Sequence, residues 1–548
     1  MKDAIPIFVL YGFVSLFFSD ILFGNKIFIN RDLLRFFYPL REFSTVQFQT
    51  GSLPLWNPYI HCGNAHLAEL QTGVFYPLSV IYSLFSYPHA FNYFIILHIY
   101  LAGIFTYILM KEWGYSRYAS FFSGTVFMFS GYIISVINLL ASLASVVWLP
   151  LVILFYGRAS EKDWIKNSIL TGVFLALMFL GGEPAIFLAT VFILLLLNFK
   201  KGLKALAVSL LVAAGLSYFQ LLPFLEFVKY SSRGMMDFNE ASMWSLPPYA
   251  LLDMFIPYLS ESDYLYKDYW MRQSWLLVYY IGVFTLICAF ISLRFDVSER
   301  RKKIFYILAM GLILSFGRYT PIYYFLYKFM PGFNLSRYPV KFFFITAFSL
   351  AILGGMGLDY YRRNILRDSA LKKELKIILV TGFVFSIFYL LMSVDFISMY
   401  NFLYNKALSF VDRKEELGQL MYAGLYNIKR GLGIFMIISI VMFLSSKKKI
   451  GLNLAVPILL FISLFDIFTA NRIVYLNMDI NGYLRPSKTL EFLKKDKDLF
   501  RIFESPAALS QNMFVPEKDY FEGVAGLKER MVSNIGVSSK IYDAYGYG

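Results

Sequence analysis

The stretch 341-KFFFITAFSLAILGGMGLDYYRRNILRDSALKKELKIILVTGFVFSIFYLLMSV-394 decides the fold. Its two ends, 341–359 and 376–394, are apolar runs of about 20 residues, the length that crosses a hydrocarbon layer as helix. Between them YYRRNILRDSALKKELK (360–376) is short and basic, the signature of a turn held on the cytoplasmic side. The same pattern recurs along the chain. Apolar segments are predicted at 5–24, 90–110, 118–137, 143–157, 166–180, 185–198, 203–222, 273–293, 304–317, 341–359, 376–394, 431–446 and 451–470. Short basic loops at 111–117, 157–166, 200–204, 294–303, 360–376 and 445–449 fall on alternate sides of them. Longer loops at about 25–89, 223–272, 318–340 and 395–430, richer in Tyr, Pro and Trp, face outward.

Composition agrees. Of 548 residues 58% are hydrophobic and 16% charged, with a mean hydropathy of +0.58, more apolar surface than a water-soluble core absorbs. No period-2 alternation of an outer-membrane barrel appears. The expectation is an all-α polytopic bundle of about 13 spans, N-in and C-out. Residues 1–470 would form the membrane domain, with outer loops at about 25–89 and 223–272, and 471–548 a short extracytoplasmic segment. The N-terminal apolar run lacks a small-residue cleavage site and reads as a retained first span. The net charge of +15 sits mostly in the basic loops, where it sets topology and meets anionic lipid, so nucleic acid is not an expected partner. Cys62 in an outer loop and Cys288 in a span cannot pair. No Walker loop, GxGxxG or HExxH occurs, and the inner loops are too short for a cytosolic catalytic domain. Chemistry belongs to the outer face.

There the first loop begins INRDLLRFFYPLREF (29–43). Asn30 is placed to cap a helix whose Phe36, Phe37, Leu40 and Phe43 share a face, with Pro39 as a kink. Asp32 stands in its first turn, where a carboxylate gains from the helix dipole and can accept a hydroxyl proton; the simpler role is support of the cap and pairing with Arg35. In 51-GSLPLWNPYIHCGNAHLAELQTGVFYP-77 the prolines forbid a span, and Trp56 reads as an interfacial anchor. His61, His66 and Glu69 offer two nitrogens and a carboxylate to a divalent ion, a thin metal signal; no other cofactor signature exists. Glu183 in GGEPAIF and Glu226 in QLLPFLEFVKYSSRG are acids at span ends, as functional as they are structural by type. Arg233, Arg318, Arg337 and Lys341 stand at outer span ends, where they suit a phosphate head group or simply snorkel.

RDLLRFFYPLREF, the G-x-LPLWNP…G…Q-x-G-x-FYP string, GGEPAIF, QLLPFLEFVKYSSRG and LSFGRYTPIYYFLYKFMPGFNLSRYPVKF, in that order over roughly 25–345, resemble the bacterial YfhO-like membrane protein family of the GT-C glycosyltransferase superfamily. The resemblance implies an enzyme moving a sugar from a polyprenyl-phosphate donor to an envelope glycan, teichoic-acid-type polymer or lipid outside the cell membrane. It implies Asp32 as base, Arg233, Arg337 and Lys341 around the donor phosphate, and Arg35, Trp56, His66, Glu69, Gln71, Glu183 and Glu226 lining the cavity. Relatives often carry His at the Glu183 position, and they continue into a large outer region whose start the C-terminal segment resembles. The other classes compatible with the residues are a lipid-carrier transporter or flippase and a non-catalytic assembly protein.

Overall fold

Leu, Ile, Phe and Ala runs satisfy their own backbone groups as helix, because a bilayer core holds no water to bond a free N–H or C=O. The computed structural model describes all residues except 1–3, 30, 162, 232–235, 259–274, 331, 395–397, 399–400, 402–413, 486, 504–519, 532 and 545–548. Each of the thirteen apolar stretches carries helix. Among the described residues seven helices are long and apolar enough to cross a membrane, or nine if two bent pairs each count as one span. Four shorter apolar helices, Ile5–Phe17, Trp164–Leu180, Pro184–Leu197 and Val283–Phe295, accompany them. The protein is a polytopic helical membrane protein. Pro339–Asn364, the first run of the opening stretch, is its axis, with its most apolar window wholly buried.

The span expected at 203–222 is broken by a bend, and the one expected at 304–317 ends near its reading but turns into a helical limb within the loop 318–340. Gly202–Leu216 bends by 83° into Tyr218–Tyr230, and Glu299–Tyr319 by 88° into Pro321–Phe329. Each bent limb leaves large apolar side chains exposed, among them Phe219, Leu222 and Leu225 on one and Ile322, Phe325 and Phe329 on the other. Such a limb, joined directly to a span, suits the membrane interface plane. Among the described residues of the expected span 273–293, helix begins at Val283. Residues 275–282 are a buried non-helical strap, ending at Gly282 with φ 93°. Its backbone is satisfied sideways: the N–H groups of Leu277 and Val278 each donate to Ser135 Oγ at 3.1 Å, and Gly131 N–H donates to the Tyr280 carbonyl at 2.8 Å. Irregular backbone survives at membrane depth only when protein surrounds it in this way.

At one end of the bundle, here called the loop end, residues 25–89 fold onto the C-terminal segment. Strand Lys26–Phe28 pairs antiparallel with Asn477–Asp479, Lys26 opposite Asp479. Ile27, Ile29 and Leu34 share a buried cluster with Met478, Ile480, Val524 and Leu527. Asp543 exchanges backbone bonds with Tyr59 and Cys62, and Ser538 donates to Glu42. Residues beyond 471 thus build one packed unit with the first loop.

Within that loop the chain forms a π-helical turn, Leu33–Phe37, then an α-helix, Tyr38–Gln49. Asn30 lies outside the described residues. Pro39, expected as a kink, closely follows the π-helical turn, a local break in the α-helical ladder of the kind found where a proline sits in a helical run. Arg41, on this helix, is 1% exposed and has no carboxylate partner among the described residues. Its guanidinium donates to Ser79 Oγ at 2.9 Å and the Gln71 carbonyl at 3.1 Å, and faces the Tyr82 and Phe94 rings at 5.7 and 5.9 Å. Gly73 makes room for it: a Cβ there, at φ +57°, would stand 1.9 Å from Arg41 Nη1.

Gly73→Ala should therefore destabilise the protein far more than Gly51→Ala. Gly51 has φ +74° but nothing within 4 Å of its added Cβ, so only the left-handed backbone cost of about 1 kcal/mol applies. Thermal unfolding of both variants in the same detergent checks the difference.

Candidate functional site

The turn GGEPAIF seats an acid at the loop end. Gly182, at φ +107°, lies against the first loop, and a Cβ there would meet the Leu70 carbonyl at 2.8 Å and Gln71 Cα at 3.3 Å. Glu183 follows at the N-terminus of the next helix, 7% exposed. Its carboxylate accepts from Lys341 Nζ at 3.1 and 3.0 Å and from Ser142 Oγ at 3.3 Å. Its own N–H donates to Ser145 Oγ at 3.2 Å. Lys341 is 8% exposed, with Nζ 5.8 Å from the Trp275 ring centre and 5.5 Å from that of Tyr338.

The surroundings are strained and aromatic. Tyr338 has φ 66° directly before Pro339, where proline drives its predecessor toward extended backbone. The Trp244 ring, 4.2 Å away, and the bond from Val340 N–H to the Trp244 carbonyl hold it there. Strain retained at such a place is a mark of function. The Tyr132 hydroxyl is buried with no hydrogen-bond partner, within the field of Glu183, and its ring is 6.2 Å from Trp275. A buried ion pair, two cation–π faces and the Tyr132 hydroxyl make a compact polar cluster, called the chamber below, whose groups have the chemistry to hold an anionic or hydroxylated group.

The other sequence-predicted residues stand in several places. Arg337 reaches the same Tyr338 ring at 5.0 Å and pairs with Glu240 at 3.7 Å. Arg318 donates to the carbonyls of Asn239 and Ser242 and to Ser242 Oγ, tying down the end of helix Phe238–Ala241. Arg233 lies outside the described residues. Asp32 precedes the π-turn, next to Arg31 at φ 43°; Arg35 is half-buried in that turn. Non-glycine positive φ and π-turns concentrate at functional sites. Gln71 meets the chamber through its backbone, between Gly182 and Arg41. Glu69, half-buried, accepts from Asn64 Nδ2 at 3.2 Å. Trp56 is 57% exposed and lies against Gly63, and Glu226 is exposed on the bent limb Tyr218–Tyr230; neither lines the chamber.

His66 is a correction. It is completely buried, its Nε2 bonded to Ser44 Oγ at 2.8 Å and its ring packed on Phe43 at 4.8 Å. Burial, then the nearby Arg41 charge, lower its pKa to about 3. It is a neutral packing residue, not a cavity wall. Among the described residues no three His, Cys, Asp or Glu converge as a metal site would need. The sequence reading passed over Trp275, Tyr338 and Tyr132 because aromatic residues abound in the spans. It also passed over Arg41, and Asp466 in the last span, although an acid inside an apolar run is a visible signal.

Fold and site define a polytopic membrane protein with a buried acid–base pair at its loop end. No family model and no curated protein matches the chain. Among solved structures it is similar to ArnT from Cupriavidus metallidurans bound to undecaprenyl phosphate, with a TM-score of 0.48 and 10% identity over 97% of this chain and 90% of that one.

Lys341→Met should cost about 3–5 kcal/mol, because it strands the Glu183 carboxylate in a buried place, and Lys341→Met with Glu183→Gln should recover most of it. Unfolding midpoints of the single and double variants give the comparison. His66 predicts an acid sensitivity: its folded pKa, about 3, lies below the ordinary imidazole value of 6.5, so below pH 6.5 the unfolded chain binds a proton that the folded one refuses. Between pH 7 and pH 5 the wild type should lose about 2 kcal/mol from this residue, and His66→Gln should flatten the pH profile by that amount.

Proposed function

We propose that the chain is a GT-C-type glycosyltransferase of the YfhO-like kind, taking a sugar from a polyprenyl-phosphate donor on the extracytoplasmic face of the cell membrane. The observation that carries this reading is the Glu183–Lys341 pair. It is an acid–base couple buried under Trp275 and Tyr338 where spans end, next to the turn from the first loop's specific Q-x-G-x-FYP string. Ionisable groups held at such a place are costly and default to function. The strained backbone at Arg31 beside Asp32 supports a working role for that acid as well.

In the proposed reaction Asp32 takes the proton of an acceptor hydroxyl as its oxygen attacks the anomeric carbon. The bond from that carbon to the lipid phosphate oxygen breaks, with inversion, and the phosphate leaves as an anion that needs no proton. Arg233, Arg337 and Lys341 stabilise the charge that develops there. Lys341 and Arg337 reach the phosphate by exchanging their carboxylates, Glu183 and Glu240, for it. The acceptor is an envelope glycan, teichoic-acid-type polymer or lipid, and residues beyond 470, packed on the first loop, border its approach. The topology is N-in and C-out, with residues 1–470 as the membrane domain. A chelator added to the assay reads out any divalent-metal requirement.

Asp32→Asn tests the reading. In membranes supplied with a polyprenyl-phosphate-sugar extract, transfer should fall by at least about 100-fold while donor binding persists. Unchanged transfer would overturn the assignment, and lipid translocation without transfer would indicate a flippase.

A further inference from the structure

A second buried ion pair lies in the spans. Asp466, fully buried, belongs to helix Leu452–Asn471, and Arg430 to Lys414–Ser446. Arg430 Nη2 donates to Asp466 Oδ1 at 2.5 Å and to the Asp466 carbonyl at 2.6 Å. These contacts suffice to neutralise the acid and join the two helices. The carboxylate nevertheless takes two further donors, both from a third element. The Tyr280 hydroxyl lies 2.7 Å from each of its oxygens, and Val283 N–H, at the first turn of the next span, donates to Oδ2 at 3.0 Å.

Both donors belong to the non-helical strap or its junction with the span. A segment outside helix and sheet has no hydrogen-bond ladder of its own, so its bonds to neighbouring elements fix where each of its residues sits. The strap's anchors are Gly131 and Ser135 in its middle and Asp466 at its end. Trp275, at the other end, is the residue whose ring faces Lys341 Nζ at 5.8 Å.

We infer that Asp466 is a positioning residue for the chamber: through Tyr280 and Val283 it sets the register of the strap and thereby holds Trp275 over Lys341. Arg430 ties the acid to the neighbouring span. The inference rests on the reading of the Lys341 chamber as the lipid-phosphate site, and it extends the functional machinery to two spans that contribute no side chain to the chamber's Glu183–Lys341 pair.

Tyr280→Phe is the sharpest test, since it cuts the strap's side-chain link and leaves the Asp466–Arg430 pair intact. The full-length protein in nanodiscs is compared as wild type, Tyr280→Phe, Trp275→Phe and the double variant. Undecaprenyl phosphate is the binding probe, and the Trp275 emission is isolated by difference against Trp275→Phe. Tyr280→Phe should red-shift that emission and raise its quenching by acrylamide. Each single substitution should weaken binding about fivefold, as loss of one cation–π face does, and the double variant should bind no worse than either. Unchanged Trp275 emission, or additive losses in the double variant, overturns the inference. If the wild type fails to bind undecaprenyl phosphate, the functional reading falls while the emission comparison still decides the positioning role. Should Tyr280→Phe not fold, the charge-free pair Asp466→Leu with Arg430→Met, which leaves no acceptor for Tyr280 or Val283, breaks the same link, with the same outcomes.

Discussion

Arg41 is the constraint on which the loop end depends. A guanidinium removed from water without a carboxylate must collect its compensation from dipoles and π-faces, and each group that supplies them becomes fixed in place. Gln71 and Ser79 anchor the two sides of the 70–80 segment, and Phe94 ties helix Tyr38–Gln49 to the span His89–Glu112. The turn at 70–73 is therefore held between Arg41 on one side and Gly182 on the other. Glu183 is presented from that wall. The same charge helps keep His66 neutral, which lets an imidazole pack as an apolar ring.

Other buried charges are handled by pairing. Glu183 with Lys341 and Asp466 with Arg430 join helices distant in sequence, and each pair recruits groups from a third segment: Ser142 and Trp275 for the first, Tyr280 and Val283 for the second. Buried pairs add little net stability, because desolvation consumes the Coulombic gain, but a half-broken pair is very unfavourable. Their effect is to select one arrangement of helices and one register of the strap.

Hydropathy made the helical segments legible, since a span must be apolar along its whole length. It gave wrong ends where aromatic and β-branched residues serve two structures equally well. WLLVYYIG is as apolar as a span, yet Ser135 and Gly131 provide hydrogen bonds that make an extended strap possible. The bend after Leu216 was hidden for a similar reason, because an interfacial limb with one apolar face reads as the continuation of a span. Within the candidate site, Glu183 and Lys341 were each recognisable as charges at span ends. Their pairing was not, since 158 residues separate them.

The sequence by itself determined that this is a many-helix membrane protein, which end of each apolar run is charged, and that the first loop is too polar and proline-rich to span. These are local properties, fixed by the transfer cost of each side chain and by backbone chemistry. Only the tertiary structure decided that His66 packs while Glu183 and Lys341 meet, that Gly73 yields its space to Arg41, and that residues near 478 and 543 complete the first loop. Those outcomes depend on which distant groups are close enough to share a buried charge or hydrogen bond, and no single stretch of chain carries that information.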